Sequence, residues 1–481
     1  MGFPLIAAGV ILVVLAVYYG SFLLVGTIGH GDEYLTLDRS HSFLIRDDPW
    51  VVFSENQPTF KKPPLQYWIT AGLMEQGLDL RIALRLPSYV FALLTLAAVG
   101  WLAFLFLPSN PWVIPTSMLL MAGSKRFWDN AISALLDSGA IFFATVAVAA
   151  TLSVQRSPRW WYVVALACGG GALQKAPIPI VFVALIVAGL FLVRGLRDLE
   201  LRRAFANRHF VISVVIAFLL MAFWPVLQWL RFGAASFGEA YVSPMAGRFS
   251  PFGKADDGGF SAFSLLMDGE IPLRLAGMIA LYWLPFRLQR PELLALALPF
   301  TLYALIVTFA TGFVSPRYSL FFLPGMMAAL TALILTALPE SRGRLAAVVI
   351  MSVVTLGPFK TVAQLRLDES EGAAFIPLAE EVGGALKPEE TLVFCGGRTD
   401  AGRLNPGMLS YYASEGRPFF QMRSAKTLRE ALATGAIKPP LRGICTEGQL
   451  ARFDGLLTGV TRTGEDAGYL HWTADGWSAA P

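Results

Sequence analysis

The chain has 481 residues, 55% hydrophobic and 15% charged, with a mean hydropathy of +0.57. That composition lies outside the soluble globular range and inside the membrane class. The net charge of +4 sits mostly in short loops, so it concerns membrane orientation and gives no footing for nucleic acid.

In chain order, the first apolar run, near 4–26, has no basic leader and no small-residue cleavage site, and it reads as a retained first span. Runs of spanning length follow near 86–107, 131–153, 177–193, 210–230, 292–312 and 319–338, with shorter or interrupted ones near 111–123, 160–173, 271–286 and 345–358. Together they predict an α-helical polytopic membrane protein of about eleven transmembrane helices. Arg156, Arg159, Arg194, Arg197, Arg202, Arg203, Arg208, Arg287, Arg290, Arg342 and Arg344 fall in loops on one side. By the positive-inside trend that side is cytoplasmic. The opposite side receives the long first loop and the C-terminal tail.

The first loop, Gly29 to Trp68, carries the densest chemistry. It opens on Asp32-Glu33 and closes on Lys61-Lys62-Pro63-Pro64. A carboxylate pair suits deprotonation of a hydroxyl, and an ammonium pair suits a lipid phosphate. Leu35, Leu37, Phe43 and Leu44, spaced among charged residues, predict an interfacial amphipathic helix over Asp32–Leu44. Asp47-Asp48-Pro49 should end it, and Pro63-Pro64 should impose an extended approach to a second helix over Leu65–Met74. These are the expected interfacial helices of the loop.

The tail returns to soluble composition. Thr391–Phe394, Pro418–Met422, Gly443–Cys445 and Gly468–Trp472 read as strands, and Gly407–Ala413 and Ala425–Thr434 as helical. The expected division is a transmembrane domain over 1–358, with 29–85 as its catalytic outer loop, and a small extracytoplasmic α/β domain over 359–481. Cys168, Cys395 and Cys445 form no metal-like cluster. Cys395 and Cys445 would pair only in an extracytoplasmic tail, and at this separation the reading is that they stay unpaired. Gly169–Gly171, inside an apolar run, reads as close helix packing.

At this point a family pattern is visible. Asp32-Glu33-Tyr34 followed by Lys62-Pro63-Pro64-Leu65-Gln66-Tyr67-Trp68 resembles the polyprenyl-phosphate-dependent glycosyltransferases of the GT-C class. Within that class it is similar to the lipid A aminoarabinose transferase and protein O-mannosyltransferase-like group. Arg81 and Arg85-Leu86-Pro87-Ser88, Leu136-Asp137, Gln174-Lys175-Ala176-Pro177, Gly247-Arg248-Phe249 and Pro316-Arg317-Tyr318 extend the resemblance over about residues 1–340. Where the family often has Glu before the lysine, this chain has Lys61, which removes one metal ligand of the family.

The resemblance implies a GT-C-like fold. It also implies transfer, with inversion, of a sugar from a polyprenyl-phosphate donor to an acceptor hydroxyl or phosphate. Lipid A, lipopolysaccharide core or another envelope glycan is the expected acceptor, and a protein hydroxyl is the alternative. The implied partners are the donor, membrane lipid and the acceptor, and the implied setting is a bacterial inner membrane with the active site and tail facing the periplasm. Catalytic roles fall on Asp32, Glu33 and Asp137, with Asp32 as base. Substrate contacts fall on Lys61, Lys62, Tyr67, Arg85, Arg248, Arg317 and Tyr318, with Lys62 on the phosphate. His30, Asp32 and Glu33 are the candidate ligands of a divalent metal ion. For Asp137 the alternative is a structural ion pair with the nearby Lys125, Arg126 and Asp129 turn. A transporter is the rival class, but the polar clusters lie at one surface and no internal repeat is present.

Overall fold

Helices occupy the apolar runs because a chain in hydrocarbon must satisfy its backbone within each segment. The computed structural model describes residues 2–26, 28, 31–46, 48–55, 57–238, 271–309, 316–338, 375–395, 406–414, 417, 419–422, 424–466 and 468–478. Helix α1 (Gly2–Gly20) continues into a 3-10 turn, Ser21–Leu24. The first loop holds α2 (Gly31–Ile45), a short hairpin of β1 (Phe53–Ser54) and β2 (Gln57–Pro58), and α3 (Leu65–Glu75). Next come α4 (Leu80–Phe106), α5 (Val113–Ala122), α6 (Lys125–Ala131), α7 (Leu136–Ser153), α8 (Trp160–Gln174) and α9 (Ile178–Arg194). They are followed by α10 (Leu199–Phe205), α11 (Arg208–Phe237), α12 (Ile271–Arg287), α13 (Ala297–Phe309) and α14 (Leu323–Ala337).

Among the described residues, four helical stretches, Gly2–Leu24, Leu80–Phe106, Leu136–Ser153 and Arg208–Ala234, are long and apolar enough to cross a membrane. The protein is an integral membrane protein. The span expected near 345–358 lies outside the described residues. Among these four stretches, two expected starts move by five or six residues. The second span begins at Leu80 rather than 86, because Arg81 and Arg85 are spent on the end of the first helix. They donate to the Leu24 and Leu23 carbonyls at 2.7 and 2.8 Å. The third begins at Leu136 rather than 131, because Ala134, with φ +49°, separates α6 from α7.

The chain divides into two compact units. One is Met1–Leu23, Phe60–Gln66 and Arg85–Leu365, and the other is Leu24–Thr59, Tyr67–Leu84 and Arg366–Pro481. In the first, α8 packs against α7, α9 and α11. Its triple glycine makes this possible: a Cβ at Gly169 would stand 2.5 Å from Leu220, and at Gly170 and Gly171 it would run into Phe143 and Pro179. Close approach through small residues is the expected adhesive where apolar burial gives no net drive between helices.

In the second unit, α2 packs against Pro406–Leu409 and the π-turn Ser410–Ser414. A five-stranded sheet accompanies them, built from β3 (Thr391–Cys395), β4 (Phe419–Gln421), β5 (Leu441–Cys445), β7 (Thr461–Asp466) and β8 (Tyr469–Ala474). Its order is β4-β3-β5-β8-β7, and β6 (Leu457–Thr458) pairs separately with β9 (Gly476–Trp477). β3 runs parallel to both β4 and β5, while β8 joins antiparallel. The α/β reading of the tail holds, and the polar strand β7 was missing from it. The cysteine reading is corrected. Cys395 and Cys445 stand opposite each other on β3 and β5, with Cα atoms 4.8 Å apart, and are joined in a disulfide. The indole of Trp472 donates to the Cys445 sulfur at 3.0 Å.

Candidate active site

The first unit gathers four of the sequence motifs around one buried network. Gln66, from the lysine-proline segment, donates to Ser88 Oγ at 2.8 Å and to the Ala134 carbonyl at 3.1 Å. Ser88, from Arg-Leu-Pro-Ser, donates to the Leu135 carbonyl at 2.9 Å. Gln174 closes the ring, donating to Gln66 Oε1 at 2.7 Å and to the Leu136 carbonyl at 3.1 Å. All three side chains are fully buried. The carbonyls around the α6–α7 break thus find their donors in buried amides and a hydroxyl, as interior backbone requires.

Asp137 lies in the first turn of α7, where the helix dipole favours a carboxylate. Its partner is Lys175, immediately after α8, at 2.5 Å, and their side chains are 5% and 10% exposed. This corrects the alternative reading, which placed the partner among Lys125, Arg126 and Asp129. Lys175 Nζ also lies 5.2 Å from the centre of the Tyr318 ring, a cation–π distance. Gly139 keeps the site open: a Cβ there would stand 2.5 Å from the Gln174 amide.

Lys61 is exposed and Lys62 half-buried. Their segment is pinned by buried Phe60, Pro63 and Pro64, with the Phe60 ring centre 5.0 Å from that of Phe232 and the two rings tilted by 56°. Arg85 is wholly buried with Nη1 on the Leu23 carbonyl. Arg248 and the Arg317 side chain lie outside the described residues.

The second unit holds the acidic pair. Asp32 and Glu33 form the first turn of α2, with Asp32 half-buried and Glu33 fully buried. The hydroxyl of Tyr34 donates to the Ile28 carbonyl at 2.7 Å, and burial pushes its ionisation well above the usual phenol range. The helix was expected to show a polar face to water. Instead Glu33, Asp38, Arg39, Ser40 and Ser42 are buried, because the turn from the tail packs on it.

Asp38 accepts the Glu55 backbone N–H at 2.7 Å, and the Ser410 side chain also hydrogen-bonds to it. Burial raises its carboxyl to about 6, against the opposing effect of those hydrogen bonds. Arg39 Nη1 donates to the Tyr67 hydroxyl at 2.8 Å. His41 meets the Tyr411 ring edge-on at 4.7 Å.

His30 lies outside the described residues, and among the described residues no three His, Cys, Asp or Glu side chains converge as a metal site. Asp32 and Glu33 are neighbours in the first turn of α2, about 100° apart around its axis.

Sequence reasoning assigned no role to Gln66, Ser88, Gln174, Lys175, Asp38 or Arg39. The first four stood inside quoted motifs. For Arg39 the signal was its place four residues from both Leu35 and Phe43, a charge within an apolar stripe.

No protein-family model matches this chain, and no curated protein matches its sequence. Solved structures do resemble it. ArnT from Cupriavidus metallidurans in the apo state is 17% identical, covering 96% of this chain and 97% of that one at a TM-score of 0.70. The same protein bound to undecaprenyl phosphate is also 17% identical, covering 100% and 99% at a TM-score of 0.70. The archaeal oligosaccharyltransferase AglB from Archaeoglobus fulgidus, in complex with an inhibitory peptide and a dolichol-phosphate, is 12% identical. It covers 82% of this chain and 63% of that one at a TM-score of 0.57. All are GT-C glycosyltransferases, and this chain has their fold.

Proposed function

We propose that this protein is a membrane glycosyltransferase that moves a sugar from a polyprenyl-phosphate donor to an acceptor on lipid A, lipopolysaccharide core or another envelope glycan, with inversion. The observation that carries the reading is the meeting of Gln66, Ser88, Asp137, Gln174 and Lys175 in one buried network, in a chain with the fold of ArnT along nearly its whole length. Sequence-distant motif segments converging on costly buried polar groups are the mark of a functional centre.

In this reading the Asp32 carboxylate takes the proton of an acceptor hydroxyl. The acceptor oxygen attacks the anomeric carbon from the face opposite the phosphate. The anomeric C–O bond breaks, and its electron pair leaves with the polyprenyl phosphate. Lys62 offsets the charge that develops on that phosphate. An acceptor phosphate is already ionised, so for it Asp32 has no proton to remove. Lys175, held by Asp137 and Tyr318, supplies a second cation, and Asp137 acts through it. Glu33 fixes the turn that carries Asp32. Lys61, Tyr67, Arg85, Arg248, Arg317 and Tyr318 remain the candidate contacts to donor and sugar. Tyr67 and Arg85 reach substrate only with their Arg39 and Leu23 partners retained.

A divalent ion at Asp32 would enlist His30. Sensitivity of transfer to EDTA decides that, and no step above uses it. The bacterial inner membrane is the proposed location, with the tail facing the periplasm. The Cys395–Cys445 disulfide supports that side, since such bonds persist in oxidising compartments. A protein hydroxyl is the alternative acceptor.

The test is transfer from radiolabelled polyprenyl-phosphate sugars in membranes carrying wild type, Asp32→Asn or Lys62→Ala at matched levels. Wild type should label an acceptor whose chemistry names the acceptor class, and both variants should lose transfer. Unchanged transfer in both variants would overturn the site assignment.

A further inference from the structure

The first unit has a second charged end, remote from the network at Asp137. Helix α7 begins beside Asp137 and ends at Ser153, so the two ends lie roughly 24 Å apart along it. At the Ser153 end, α8 starts with Trp160, Trp161 and Tyr162, α9 stops at Arg194, and α11 starts at Arg208. Aromatic residues gathered at the end of an apolar helix mark the level of the membrane–water boundary.

Helix α10 is tied to that level. The Trp161 indole donates to the Ala204 carbonyl at 2.7 Å, and its ring meets Phe205 edge-on at 5.1 Å. Tyr162 Oη and His209 Nδ1 share a hydrogen bond of 3.0 Å, which holds the start of α11 beside it. Leu201 and Ala204 form the buried face of α10. Leu199, Arg202 and Arg203, spaced three and four apart, share its exposed face. Leu196 and Leu199 keep 71% and 67% of their surface open, among the arginines.

The acids of this segment are already taken. Arg194 pairs with Asp198 at 2.8 Å and with Glu200 at 3.1 Å. Arg197, Arg202, Arg203 and Arg208 are exposed and enter no ion pair among the described residues; Arg202 Nε donates to the Leu196 carbonyl at 2.6 Å. Membrane topology asks only for basic residues at one end of a bundle. It does not ask that their acids be neutralised by a fifth arginine, or that they share a face with open leucines. Water suits the arginines and not the leucines, and hydrocarbon the reverse. The headgroup layer suits both, because guanidiniums bind phosphate oxygens while apolar side chains reach the acyl boundary.

We propose that α10 and its flanks form a binding site for anionic phospholipid headgroups. Arg197, Arg202, Arg203 and Arg208 contact the phosphates, and Leu196 and Leu199 enter the acyl layer. The site does not depend on sugar transfer.

The test titrates full-length protein in neutral detergent with phosphatidylglycerol or phosphatidylcholine and counts retained lipid by native mass spectrometry. Wild type should prefer phosphatidylglycerol, and the preference should fall as salt is raised. Each single change, Arg197→Gln, Arg202→Gln, Arg203→Gln or Arg208→Gln, should weaken phosphatidylglycerol binding about fivefold, and the four together should abolish the preference. The same four positions changed to Lys keep the charge and should retain most of it, and Leu199→Ser should lower it. Lys62 and Lys175 are unchanged in every variant, so lipid held near them cancels in the comparison.

An undiminished preference in the fourfold Gln variant and in all four single variants would overturn the site. Displacement of phosphatidylglycerol by an equal concentration of glycerol phosphate would also overturn it, since the ligand would then be a soluble anion. Equal retention of the two lipids by wild type would remove the lipid reading and leave this face to a soluble protein.

Discussion

Asp137 and Lys175, 38 residues apart in sequence, meet at 2.5 Å with both side chains almost out of solvent. Removing one partner strands the other charge, a loss of about 3–5 kcal/mol for a buried pair. Lys175→Met should therefore lower Tm strongly and abolish transfer. Adding Asp137→Leu to it should recover much of the Tm and none of the transfer. Recovery of both would make the pair a dispensable strut.

Gly139 offers an independent handle on the same network. Its Cβ would stand 2.5 Å from Gln174, and Gln174 is held on two sides by hydrogen bonds. Gly139→Ala should cost about 1–3 kcal/mol by overpacking and reduce transfer. Gln174→Ala, added to it, should relieve the clash without restoring activity. Thermal unfolding beside the transfer assay reads both.

The buried Asp38 carboxyl gives a pH prediction. Its folded value of about 6 lies above the roughly 3.9 of an exposed Asp. Between those values the folded state binds more protons than the unfolded one. Stability from this group therefore falls as pH rises through that window, by on the order of 2–3 kcal/mol. Asp38→Asn keeps an acceptor for the Glu55 N–H and removes the charge. Its Tm should exceed wild type at pH 7–8 and converge with it near pH 4. A constant offset across the range would contradict the assignment.

The disulfide can be read directly. Cys395 and Cys445 close a loop of about fifty residues in the tail, so Cys445→Ser should cost about 2–5 kcal/mol of tail stability. Thiol labelling of denatured protein isolated from membranes should find Cys168 alone reactive before reduction and three cysteines after it. Labelling of all three without reductant would place the tail on the reducing side of the membrane.

Much of this protein is legible from sequence for a physical reason. A span needs about twenty apolar residues in one run, and that requirement is local, so hydropathy finds α1, α4, α7 and α11 without knowledge of their neighbours. Local breakers work the same way. Asp47-Asp48-Pro49 ends α2 and Pro63-Pro64 precedes α3, as their backbone preferences demand. The acidic and basic pairs of the first loop stood out because charge is rare in so apolar a chain.

What the tertiary structure decided are the pairings across long sequence separations. Periodicity says which face of α2 is apolar, but the turn at Ser410–Ser414, whose Ser410 hydrogen-bonds Asp38, and Tyr67, which receives Arg39, are contacts that only the fold supplies. Alternation identifies β3 and β5, but only the β4-β3-β5 order sets Cys395 against Cys445. Asp137 has three charged residues close by in sequence, yet it pairs with Lys175, because the packing of α7 against α8 brings the start of one helix to the end of the other. Such contacts depend on which elements become neighbours in three dimensions, and no local pattern carries that information.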